Sequence, residues 1–199
     1  MSALQGTICR NHTESLFLYH TSPLLRKVKP AVLVTIKSDC MKMWRSRKNA
    51  MCKASGLHMT EMRSTNNSSL FLIYDEQELT LSLEREKAIS ILEKYGYKSC
   101  ATIEEMLRHL SHWLSEDNFP HEIGLFLGYP PGDVKAYIEN EGKNCTCCRY
   151  WKVYEDVETA QKTWAKIDEA QALALNVLQN LPPIHIAVNL LKAVQASTA

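Results

Sequence analysis

Apolar runs alternate with polar breaks along the chain, and the spacing inside each run assigns an element. Ala31 to Ile36 is an apolar, β-branched run between Pro30 and Ser38-Asp39, the pattern of a buried strand. Cys40 to Ser55 follows as a helix, with Ser38 or Asp39 as its N-cap and Gly56 as its stop. His58 to Arg63 alternates, Leu70 to Tyr74 is apolar throughout, and the polar turn 64–68 joins them as a hairpin. Residues 1–25 read as loop around a short apolar patch, Leu16 to Tyr19. The middle is helical: Glu76 to Tyr95 stops at Gly96, and Thr102 with Glu105 makes a capping box for a helix over 103–115. Pro120 to Leu127 and Asp133 to Asn140 predict short helices, joined by a tight turn at Gly128-Tyr129-Pro130. Tyr150 to Tyr154 predicts an aromatic strand. Asp156 caps a helix to about Asn180, Pro182-Pro183 breaks it, and 184–195 is a last amphipathic helix.

That order predicts an α+β protein, an α/β sandwich with a small mixed or antiparallel sheet of about four strands. Strands 31–36, 58–63, 70–74 and 150–154 would share it. The order βαββαβ is ferredoxin-like, its second crossover enlarged by a helical insertion and followed by C-terminal helices. An open sheet with other pairings fits the same pattern. The 199 residues suffice for a single domain, with a core over about 16–166 and a helical tail over about 167–199.

Composition changes this picture little. The chain is 45% hydrophobic and 23% charged, with a formal net charge of +1, which points to no polyanionic partner. No apolar run is long enough to span a bilayer, and no signal h-region opens the chain, so a cytoplasmic protein is expected. Charge is uneven. From Arg26 to Lys53 there are nine basic residues and one acid, which makes the helix 40–55 a candidate nucleic-acid surface. Pairing with the acidic helices of the same domain is the plainer reading. The final helix has too little basic character for a membrane surface and suits packing on the domain or a homo-oligomer contact.

Candidate chemistry concentrates after Phe119. Of seven cysteines, Cys145, Cys147 and Cys148 are clustered. An odd number without a secretory signal implies reduced thiols. Thiolates bind zinc or iron, and with His20 the cluster is a candidate metal site, although no second paired element completes it. His121-Glu122 lacks the second histidine of a metalloprotease motif. Glu122 suits a helix start, and His121 and Glu122 are also candidates to line a cleft facing Cys148, where a histidine could act as base beside a nucleophile. Tyr129, Tyr150 and Tyr154 are candidate stacking surfaces for a flat ligand such as a flavin.

The stretch Phe119 to Ile138, then Gly142-Lys143-Asn144, Cys148 and Tyr150 to Tyr154, resembles the signature of an uncharacterised bacterial family, the domain of unknown function numbered 3793. His20, Pro23 and Leu25 with Lys29-Pro30-Ala31 are similar to its opening motif. Thr21, Arg149 and Glu155 stand where the family pattern has Cys, Gly and commonly Gly. The family's genes neighbour flavodoxin and ferrous-iron transport genes. The resemblance therefore implies an accessory protein of redox or iron metabolism, binding a metal ion or a redox or iron-handling partner through His20, His121, Glu122 and Cys148. A cysteine-dependent enzyme with Cys148 as nucleophile and His121 as base is the alternative, and a nucleic-acid module on helix 40–55 a third.

Overall fold

A computed structural model describes the backbone of residues 3–114 and 119–193 and the side chains from His12 onward. The Cys9 side chain, Ser115 and residues 194–195, at the end of the expected last helix, lie outside the described residues. The chain enters through a helix, α1 (Ala3–Leu25), where the sequence suggested loop. Phe17, Leu18, Thr21, Leu24 and Leu25 recur at helical spacing and are all buried, so the packing of this face holds the helix. Pro23 sits in the last turn, and Lys27 in the left-handed region (φ 56°) ends it. The amide of Val28 then bonds the Pro23 carbonyl at 2.8 Å and that of Lys27 bonds Leu24 at 2.9 Å, a Schellman cap without glycine.

Next come β1 (Ala31–Lys37), α2 (Ser38–Ser55), β2 (His58–Ser64) and β3 (Ser68–Tyr74). Neither Ser38 nor Asp39 caps α2: the helix starts at Ser38 after Lys37, without a side-chain cap, and the Ser38 amide donates to Asn67 instead. The sheet order is β1-β3-β2 with both pairings antiparallel, which leaves β1 and β2 parallel and joined by α2. This is the split βαβ unit of a ferredoxin-like fold. Both faces of β3 are covered. Leu70, Leu72 and Tyr74 enter one cluster, Phe71 and Ile73 the other, and for that reason the strand reads as one continuous apolar run. A register shift at Met62 in β2 frees a carbonyl, which accepts from the Ser111 hydroxyl at 2.6 Å.

One face of the sheet carries α3 (Glu76–Leu83), α4 (Glu86–Leu92), α5 (Ile103–Trp113), α6 (Ile123–Phe126) and α7 (Pro131–Glu139). The expected helix 76–95 is thus broken, at Glu84-Arg85, and finishes as a tight 3-10 turn before Gly96. The Thr102 cap of α5 is as predicted, accepting from Glu105 at 3.2 Å, while Glu105 reaches back to the Ala101 amide at 2.7 Å. The other face is covered by α1, α2, α8 (Val157–Leu178) and α9 (Ile184–Ala193). Ala174, Ile184, Ala187, Val188 and Leu191 lie in the same cluster as Phe17 and Ile73, so the C-terminal helices belong to the core.

The class is α+β, as expected, but the four-strand sheet is not formed. The segment 150–154 pairs elsewhere: β5 (Lys152–Val153) makes a two-stranded hairpin with β4 (Cys147–Cys148). Trp151 and Val153 are drawn into a separate cluster with Ala160, Trp164 and Ile167 of α8, which holds the hairpin off the main sheet. Among the described residues no helix is long and apolar enough to cross a membrane.

Candidate functional site

Three junctions meet beside the hairpin. At the first, the turn after α1 presents Lys29 and Pro30. At the second, Gly128 (φ 77°) ends α6: its amide bonds Leu125 at 3.0 Å and that of Tyr129 bonds Gly124 at 2.9 Å. Pro131 then opens α7, as predicted for this turn. A Cβ on Gly128 would lie 2.4 Å from Pro30 Cδ, so the two junctions touch. The third is the hairpin turn 149–151, fastened by Asp133 in the first turn of α7. The buried Asp133 carboxylate accepts from Trp151 Nε1 at 2.9 Å and from the backbone N–H of Tyr154 at 2.8 Å. Tyr129 stacks on Trp151 (5.2 Å, 24°) and donates to the Tyr150 carbonyl at 3.1 Å. Lys152 Nζ donates to the Gly142 carbonyl at 2.6 Å, tying the far end of α7 to the hairpin.

Between these junctions is a cavity of about 650 Å³. His20 from α1, His121 ahead of α6 and Cys148 from β4 all line it, as do Tyr129, Tyr137, Tyr150 and Trp151. His121 meets Tyr137 edge-on at 5.1 Å. Burial lowers the His20 pKa and raises that of Tyr129. Tyr150 is pushed up to about 12, by burial and then by the hydrogen bond it donates to Asp168 at 2.7 Å. Lys29 is pulled down to about 8 by burial, with its Nζ 5.1 Å from the Tyr129 ring centre.

A scan against protein-family models matches residues 17–186 to DUF3793, a protein of unknown function. The chain belongs to the DUF3793 family. The match runs past the boundary expected near residue 166, in keeping with the packing of α8 and α9 into the core of this DUF3793 chain. No curated protein and no solved structure matches it.

The remaining candidates are placed elsewhere. Glu122 is buried in the helical layer, where it accepts from the Tyr97 hydroxyl at 3.3 Å, and it does not line the cavity. Burial and the Glu122 carboxylate raise the Tyr97 pKa. Cys147 packs in the Trp151 cluster, and Cys145 lies off the cavity wall. The Tyr154 hydroxyl is buried with no hydrogen-bond partner among the described residues, and Tyr154 does not face the cavity. Among the described residues no group of three or more His, Cys, Asp or Glu is placed to hold a metal ion. On α2, Arg45 pairs with Glu61 of β2 at 3.2 Å and Arg47 donates to Glu14 of α1 at 2.8 Å, so these two cations are met by the neighbouring strand and helix and not by the acidic helices expected from the sequence.

Sequence reasoning missed Lys29, Asp133, Arg149 and Lys152. Each is locally an ordinary charged residue. A usable signal existed for the first two, since Lys29 lies in the Lys29-Pro30-Ala31 motif and Asp133 in the Phe119 to Ile138 motif.

Proposed function

We propose that this DUF3793 protein binds a small organic molecule in the cavity, held against the Cys148 thiol, as an accessory protein of redox metabolism. The observation that carries the reading is the convergence of His20, His121 and Cys148, from distant parts of the chain, on one aromatic-walled cavity. Its volume, about 650 Å³, falls within the range of pockets that enclose drug-sized ligands. A metal ion is the weaker occupant, because the described donors do not gather into a ligand set. Footprinting by alkylation tests the reading. In a fragment screen, binders should slow alkylation of the exposed Cys148 at least tenfold while leaving Cys40 and Cys52 unchanged. Fragments that protect no thiol, or that protect all three alike, would overturn it.

Nucleophilic use of Cys148 with His121 as base is a second reading, favoured by both lining the same cavity. A stable covalent adduct at Cys148 with an acylating or alkylating substrate analogue, lost in His121→Ala, would separate it from simple binding.

A further inference from the structure

The charge around the cavity is one-sided. Its wall carries Lys29, Arg149 and Lys152 and the imidazoles of His20 and His121, against one carboxylate, Asp133. That carboxylate is already engaged by Trp151 Nε1 and by the amides of Tyr154 and Glu155, the last at 3.4 Å. Two of the cations are also engaged. Arg149 grips Asp168 with both nitrogens, at 2.7 and 2.8 Å. Lys152 holds the Gly142 carbonyl at 2.6 Å. Lys29 differs: its ammonium has no carboxylate and no hydrogen-bond acceptor among the described residues, only the face of Tyr129 at 5.1 Å. A cation–π contact offsets only part of the cost of taking an ammonium out of water.

The walls add a shape. Tyr129 and Tyr137 line the cavity, and the exposed ring of Phe119 (48% accessible) stands at its margin. We propose that the cavity takes a planar aromatic anion, a ring system of up to mononucleotide size. Its phosphate or carboxylate would pair with Lys29 and its ring would lie against Tyr137 and Phe119. This rests on the reading of the cavity as a ligand site and specifies the ligand's chemistry. A partly buried, unpaired ammonium discriminates by charge, because a neutral analogue leaves it as poorly solvated as before.

Calorimetry with matched probes tests this: adenosine 5′-monophosphate against adenosine, and 2-naphthoate against 2-naphthylmethanol. At least one anion should bind tenfold or more tightly than its neutral partner. The first pair responds if the recognised group is a phosphate, the second if it is a carboxylate. Lys29→Gln should abolish the preference and Lys29→Arg should retain it. Between pH 7.5 and 9 the preference should fall in the native protein as the Lys29 ammonium, with its pKa near 8, loses its charge, and should persist in Lys29→Arg. The pH series is run with Cys148→Ser, since the thiol faces the same space. Burial lowers the His20 pKa, away from that window, and raises those of Tyr129 and Tyr150, also away from it. His121, Tyr137, Asp133 and Arg149 also face the cavity and are common to the native protein and Lys29→Arg, so the comparison of the two isolates Lys29. Lys152 is likewise common to both proteins compared. Equal binding of the neutral probes, or an unchanged preference in Lys29→Gln, overturns the inference and leaves the cavity reading standing. Failure of all four probes also overturns it; only the further absence of any fragment that protects Cys148 defeats the cavity reading itself.

Discussion

Lys29 is held in its place at a cost to stability. Its pKa, ordinarily near 10.4, falls to about 8 in the folded chain, a displacement of about 3 kcal/mol, or about 1–2 kcal/mol after allowance for screening at an open cavity. Because the folded pKa lies below the unfolded one, the unfolded chain binds more protons between pH 8 and 10.5, and stability rises with pH across that window. Lys29→Met should therefore stabilise the free protein at pH 7 by about 1–2 kcal/mol, and the gain should vanish as pH rises from 8 to 10.5. Denaturant melts of both proteins across this range measure it. A lysine that only packed would show no such pH-dependent gain. Asp133 is the contrasting case: a buried carboxylate with three donors, which holds the hairpin to α7.

At the scale of elements, the site depends on how α6 and α7 are joined. Gly128 is required twice, by its left-handed backbone and by Pro30 in van der Waals contact with its bare Cα. Gly56 ends α2 in a similar conformation (φ 75°), but nothing lies within 4 Å of the Cβ it lacks. The pair separates backbone strain from crowding. Gly56→Ala should cost about 1 kcal/mol, the price of the left-handed conformation alone. Gly128→Ala should cost about 2–4 kcal/mol, because the junction with Pro30 must also open. Thermal unfolding of the two variants, side by side, gives the comparison; equal losses would mean that Pro30 yields without cost.

For the whole molecule, the sheet is the shared partition between two helical layers. β3 pairs on both edges and is covered on both faces, so its amides should exchange only through global unfolding. The hairpin of β4 and β5 pairs two residues on each strand and rests on Asp133, Trp151 and α8. Its amides should exchange well before those of β3, through local opening that leaves the sheet intact. Hydrogen exchange followed by mass spectrometry resolves the two segments. Simultaneous exchange would show that the cavity wall and the core unfold as one unit. Leu175, Leu181, Ile186 and Leu190 are exposed on the α8–α9 side.

Local signals determined the elements whose stability is local. The β-branched run of β1, the hairpin of β2 and β3, the Thr102 and Asp156 caps and the glycine turn at 128 are each legible in a few neighbouring residues. The same motif residues pointed to His20, His121 and Cys148, which all line the cavity. Tertiary structure decided the rest. α1 is a helix because its apolar stripe is buried against α2, α8 and α9, which lie elsewhere in the chain. Tyr150 to Tyr154 has the composition of a sheet strand, yet Asp133 and Trp164, far from it in sequence, offer Trp151 a hydrogen bond and a ring contact at 5.4 Å that the sheet does not. Glu122 was legible as a charged neighbour of His121, but a buried turn aims adjacent side chains in different directions, and it went to Tyr97. Lys29 gains its meaning only where a cavity closes over it, because the solvation of a charge is set by everything packed around it and by nothing written beside it.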